Sequence, residues 1–229
     1  MEHSVAAILT FGFALGVQHS LDADHVAAVS TLVGRGGSLP RVAAMGAVWG
    51  LGHTAALLAA AVAVVWLRWS IAPPVADGLE VAAGVMLVLL GAELVVRVLQ
   101  GRLRVHSHPH AHTGTSHRHL HVHAPPVATH EHEHAGRLRP FLVGVVHGLA
   151  GSAALMLAVV GTIDTAATAL VYVVVFGLGT MTGMLALSAL LGLPFRHDAP
   201  RLHVPLQLAI GTAAVAIGLS QAWPLLTLG

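Results

Sequence analysis

A chain of 229 residues in which 55% are apolar and only 9% charged cannot assemble a water-soluble surface, which takes roughly a quarter charged residues. The formal charge of +1 says nothing as a sum, but the absence of Cys removes disulfides and thiolate ligands together, leaving imidazole, carboxylate, backbone or thioether for any metal. At about 20 apolar residues per crossing, the length accommodates six spanning helices and one substantial loop.

The first predicted helix runs from about Ser4 to Val33 and, lacking a basic leader, is expected to stay in the protein and not be cleaved as a signal peptide. Ahead of it, Met1-Glu2-His3 places an imidazole third from the amine. The free amine, two deprotonated amides and that imidazole suit a square-planar Ni²⁺ or Cu²⁺ site on the outer face. Within the helix lies HSLDADH, which puts His19, Asp22, Asp24 and His25 inside an apolar segment. Ionisable groups at the centre of a span cost about 2.5 to 3.5 kcal/mol each even on the lenient insertion scale, so four together call for a compensating cation. On a continuous helix His19, Asp22 and His25 share an arc of about 120°, a three-ligand face of two imidazoles and one carboxylate. Asp24 then points elsewhere. Either the helix unwinds locally, or Asp24 orients a ligating imidazole through a hydrogen bond.

After a break at Gly34 to Pro40, the second helix (Val42 to Trp66) carries His53 in WGLGHT. Pro73-Pro74 precede the third helix (Leu79 to Val96), whose Glu80 and Glu93 lie near opposite ends. Both suit snorkelling to the interface, with Glu93 paired to Arg97 at i, i+4. The segment Gly101 to Arg139 contains eleven histidines, mostly in H-x-H spacing, and its composition predicts a disordered metal-buffering loop. The fourth helix (Phe141 to Gly161) carries His147. The fifth (Ala166 to Leu193) and sixth (Val204 to Leu226) follow breaks at Asp164 and at Pro194 to Pro200. His53 and His147 are the ionisable groups of their spans and, flanked by Gly, are candidate ligands. Ligands without sulfur suit Ni²⁺, Co²⁺ or Zn²⁺ alike.

All eleven basic residues are Arg. With six crossings, the connections after the first, third and fifth helices hold Arg35, Arg41, Arg97, Arg102, Arg104, Arg118, Arg137, Arg139, Arg196 and Arg201, against Arg68 alone on the other side. The positive-inside bias therefore places the His-rich loop in the cytoplasm and both termini outside.

The halves also repeat. An offset of 128 lays GVQHSL (Gly16 to Leu21) on GVVHGL (Gly144 to Leu149), matching His19 with His147. An offset of 127 lays Gly50 to Gly52 on Gly177 to Gly179, and Leu79, Ala82, Gly84 and Gly91 on Leu206, Ala209, Gly211 and Gly218. With an odd number of crossings per half, the two must be inverted, and in that plan substrate binds near the midplane where they meet. The expected organisation is all-α and polytopic. Residues 1–100 form one three-helix repeat, 101–139 the cytoplasmic loop, and 140–229 the second repeat.

His19, four residues, then Asp24-His25 resembles the hallmark of the nickel/cobalt transporter family. The family's next motif is similar to Leu51-Gly52-His53-Thr54, and a later one beginning FGLG is similar to Phe176 to Gly179. There the chain departs: the family usually continues with an acidic residue and Thr, where this sequence has Thr180, Met181, Thr182 and Gly183. HGLAGSAAL (His147 to Leu155) and the six-helix length look like the short, urease-accessory type of nickel permease. The resemblance covers the membrane core and not the loop. It implies a multi-pass protein of the cell membrane, with a selectivity site at His19, Asp24, His25 and His53, that takes up nickel or cobalt. Such a protein is not an enzyme and needs no cofactor beyond the transported ion. Its partners would be the metal, the lipid bilayer and a cytosolic nickel acceptor, with no nucleic acid. The rival readings are efflux by a protein of the same fold, an intramembrane metalloenzyme whose metal activates water, and a metal sensor.

Overall fold

A computed structural model describes residues 2–35, 38–66, 72–101, 104–112, 115–123, 138–150, 160, 163, 165–196 and 200–227. The chain is an all-α, polytopic membrane protein. Its helices are α1 (Glu2–His19), α2 (Ala23–Val33), α3 (Leu39–Trp66), α4 (Pro73–Leu99), α5 (Leu138–Leu149), α6 (Ala166–Gly192) and α7 (Pro200–Thr227), with a short 3-10 turn at Leu193–Arg196 after α6. Four of them (α3, α4, α6 and α7) are long and apolar enough to cross a membrane, and α1 with α2 makes a fifth span bent by 57°. The predicted fourth helix is present as α5, and its continuation over 151–159 lies outside the described residues, as does the predicted break at Asp164. Large apolar side chains such as Phe11, Leu89 and Leu202 face outward, as a lipid-exposed surface requires.

Two boundaries differ instructively from those expected. Pro73-Pro74 opens α4 instead of preceding it, because the missing proline N–H falls in the first turn, where no intrahelical acceptor is lost. The predicted first helix is two helices: α1 ends at His19, and α2 restarts at Ala23 with Asp22 as its N-cap. Averaged over a span's length the two helices still read as one apolar segment, so the break is not marked by the average and falls at a local run of polar side chains. Ser20 Oγ donates back to the Val17 carbonyl at 2.6 Å. The loop between α4 and α5, for which composition predicts disorder, carries an antiparallel pair of strands, Arg104–His112 with Thr115–His123, in a register that sets His108 opposite His119.

Glycine contacts give the architecture its symmetry. A Cβ at Gly16 would collide with the Phe176 carbonyl, and one at Gly144 with the Trp49 carbonyl. Gly52 abuts the carbonyl of Phe141 and Gly179 that of Phe13; Gly84 abuts Gly218 and Gly91 abuts Gly211. In each pair of contacts the partners exchange under the 127 or 128 offset, so residue i touches the counterpart of j while j touches the counterpart of i. That reciprocity is the signature of a two-fold relation between halves. Accordingly α1 lies along α6 as α5 lies along α3, while α3–α6 and α4–α7 pack against their own counterparts. The α2 helix packs against α4, α6 and α7 and thus joins the two helix groups.

Candidate metal site

Backbone-to-backbone approach at Gly144 and Gly148 seats α5 against the carbonyls of Trp49 and His53 on α3, and so carries His147 to the level of His53. His53 lies 14 residues from one end of α3 and 13 from the other, about 20 Å from each at 1.5 Å per residue, so it stands near mid-membrane. The break after His19 turns the chain there and brings the first turn of α2 to the same level. The C-terminal end of α1 and the N-terminal end of α2 face this point with opposite partial charge, and His19 and Asp24 sit on the ends whose dipoles suit them. Non-helical backbone at this depth is tolerated only where it is buried in protein or lines a cavity.

Four imidazoles and one carboxylate converge. His19, His25 and His53 form one group, and Asp24, His25 and His147 a second that shares His25; within each group the ligand atoms lie within 4.8 Å of one another. Donors on a common ion at about 2.1 Å stand at most roughly 4.2 Å apart, so either group closes on a cation with small shifts. Ring centroids are 4.3 Å apart for His19–His25 and for His25–His147, and 5.2 Å for His25–His53. His25 and His53 are completely buried and His147 nearly so.

Hydrogen bonding separates the carboxylates. Asp22 is half exposed and accepts from His19 Nδ1 at 2.7 Å, which leaves His19 Nε2 buried with no partner among the described residues. Asp24 Oδ1 accepts from the His25 backbone N–H at 2.9 Å and lies 3.0 Å from His25 Nδ1. Its Oδ2 lies 3.0 Å from His147 Nε2, an ionic contact without hydrogen-bond geometry. Both ring nitrogens of His53, His25 Nε2 and His147 Nδ1 are buried without a hydrogen-bond partner among the described residues. So many unpartnered ring nitrogens at one point are costly in apolar surroundings, and a cation is a group to which one lone pair from each of several neutral imidazoles can turn.

The three-ligand face expected of a continuous helix is therefore not formed. The break rotates Asp24 into the cluster and leaves Asp22 outside both groups, holding His19 from behind. Met1 and the side chains of Glu2 and His3, the expected outer-face metal site, lie outside the described residues. Two aromatic walls escaped sequence reasoning. Trp49 stands 5.7 Å from both His25 and His147 with its Nε1 buried and unpartnered among the described residues, and Phe176 stands 5.6 Å from His19. Their signal was available in the repeat, since the 127 offset pairs Trp49 with Phe176. Thr180, where the motif departs from the family pattern, is buried and donates to the Phe176 carbonyl at 3.1 Å.

No protein-family model matches the chain, and no solved structure matches it. It is similar to the urease accessory protein UreH of Bacillus sp. (strain TB-90), with 34% identity over 198 residues that cover 86% of this chain and 82% of that protein.

Proposed function

The chain belongs to the family of the urease accessory protein UreH, and from that premise we propose that it carries a divalent transition metal, nickel first and cobalt second, across the cell membrane. The observation that carries the proposal is the convergence of His19, Asp24, His25, His53 and His147 at mid-membrane, where each of the four imidazoles has at least one buried ring nitrogen without a hydrogen-bond partner among the described residues. Nitrogen and carboxylate donors without sulfur suit these borderline ions. The two-fold relation between halves supports a carrier over an enzyme or a sensor, because alternating access uses two exchangeable halves and neither rival needs them. Uptake into the cytoplasm, with the Arg-bearing face inside and both termini outside, is the direction we assign. The His-rich loop then stores arriving metal and passes it to a cytosolic acceptor. Six crossings as two inverted repeats complete the reading, with residues 151–159 continuing the fourth.

Purified protein lacking residues 106–134, so that the loop histidines do not mask the centre, should bind Ni²⁺ and Co²⁺ at one saturable site in calorimetry. His25→Ala should remove that site, since His25 belongs to both ligand groups. Unchanged nickel binding in the His25→Ala protein would refute the assignment.

A further inference from the structure

On the Arg-bearing face, one carboxylate gathers three guanidinium groups, from α4, from α5 and from the turn after α2. Glu93 of α4 accepts from Arg97 of its own helix at 2.9 Å, from Arg35 just beyond α2 at 2.9 Å, and from Arg139 at the start of α5. Arg35 and Glu93 are partly buried, with side chains 18% and 27% exposed. Two of the elements tied together carry part of the centre: α2 bears Asp24 and His25, and α5 bears His147. A second strap runs beside it, where buried Gln207 of α7 donates to the Gly34 carbonyl at 2.6 Å.

The two-fold relation makes this network informative, because every contact on one face has a position reserved for its counterpart on the other. The offsets that pair the halves match Arg35 with Ile163, Glu93 with Ser220, Arg97 with Pro224 and Arg139 with Phe11. None of the four is charged. Ser220 spends its hydroxyl on the Ile217 carbonyl of its own helix, and Phe11 faces outward. The counterpart positions therefore cannot form this ionic tie.

We propose that the Glu93 network is the closure of the Arg-bearing face: in the state described it holds α2 and α5 together, and it must part before the central site opens to that side. This inference rests on the carrier reading but is tested without metal. Thr31 lies on the same face of α2 as Asp24, seven residues or nearly two whole turns further toward Arg35, and it is completely buried. The chain has no Cys, so Thr31→Cys supplies a single thiol in an otherwise inert protein.

In proteoliposomes of fixed orientation, a membrane-impermeant thiol reagent added on the Arg-bearing face should label Cys at position 31 slowly. Arg139→Gln, which frees α5 while leaving Arg35 and Arg97 on Glu93, and Glu93→Gln, which frees all three, should each accelerate labelling. Ion pairs of this partial exposure together shift a two-state balance by roughly tenfold, which sets the size of the expected acceleration. Glu93→Asp should restore protection in part. Labelling at the wild-type rate in the Arg139→Gln protein overturns the proposal. A failure of metal binding with the labelling result intact would instead count against the carrier reading alone.

Discussion

Each of the five converging side chains has a separable part, and single substitutions should sort them. His19→Ala and His25→Ala should abolish transport while the protein still inserts, because removing a polar group from mid-membrane relieves the span instead of threatening it. Asp22→Asn weakens the bond that holds His19 Nδ1 and leaves the donors in place, so apparent affinity should fall by about 10- to 100-fold with capacity retained. Asp24→Asn should be worse, since Asp24 contacts both His25 and His147. A concentration series of metal on each variant checks the order, and an Asp22→Asn protein more damaged than Asp24→Asn would reverse the roles of the two carboxylates. Imidazole ligates as the neutral base, so protons compete with metal. Binding should therefore weaken as pH falls, and equilibrium binding measured between about pH 8 and pH 5 reads this directly. The six candidate ligands were legible because ionisable residues in apolar spans are conspicuous. Which carboxylate faces the centre was not, for it depends on a break that hydropathy does not register.

At the scale of elements, the bent α1–α2 pair and the glycine-lined contacts set the geometry, and both can be perturbed away from the ligands. Replacing Ser20, Leu21 and Asp22 together with Ala supplies strong helix formers where the chain now turns, which should straighten the span and draw Asp24 off the centre. Transport should be lost although none of the four histidines has changed, and metal binding retained at wild-type affinity would show that the bend is dispensable. Gly144→Val drives a side chain into the Trp49 carbonyl, and helix backbones in contact have no room to yield, so a loss of about 1 to 3 kcal/mol is expected in thermal unfolding of the purified protein. Helix positions followed closely from apolar run lengths. The register between helices was legible only through the repeat, and long-range ion pairs were not legible at all: Arg97 is four residues from Glu93, whereas Arg35 and Arg139 are 58 and 46 away.

For the whole molecule, the proposed carrier has two faces alike in architecture, by the two-fold relation between halves, and unlike in charge, by the expected one-sided distribution of Arg. The loop between the halves lies outside that relation, and its proposed part is to store metal. Removing residues 106–134 should therefore leave transport measurable and change its sensitivity to metal, and complete loss of transport in a correctly inserted deletion protein would make the loop part of the pathway. The centre itself is tested most directly by flux of radioactive nickel and cobalt into liposomes containing the purified protein. Saturable accumulation is expected from the wild-type chain and none from properly inserted His19→Ala or His25→Ala proteins. Wild-type rates in both of those variants would contradict a central His/Asp transport site.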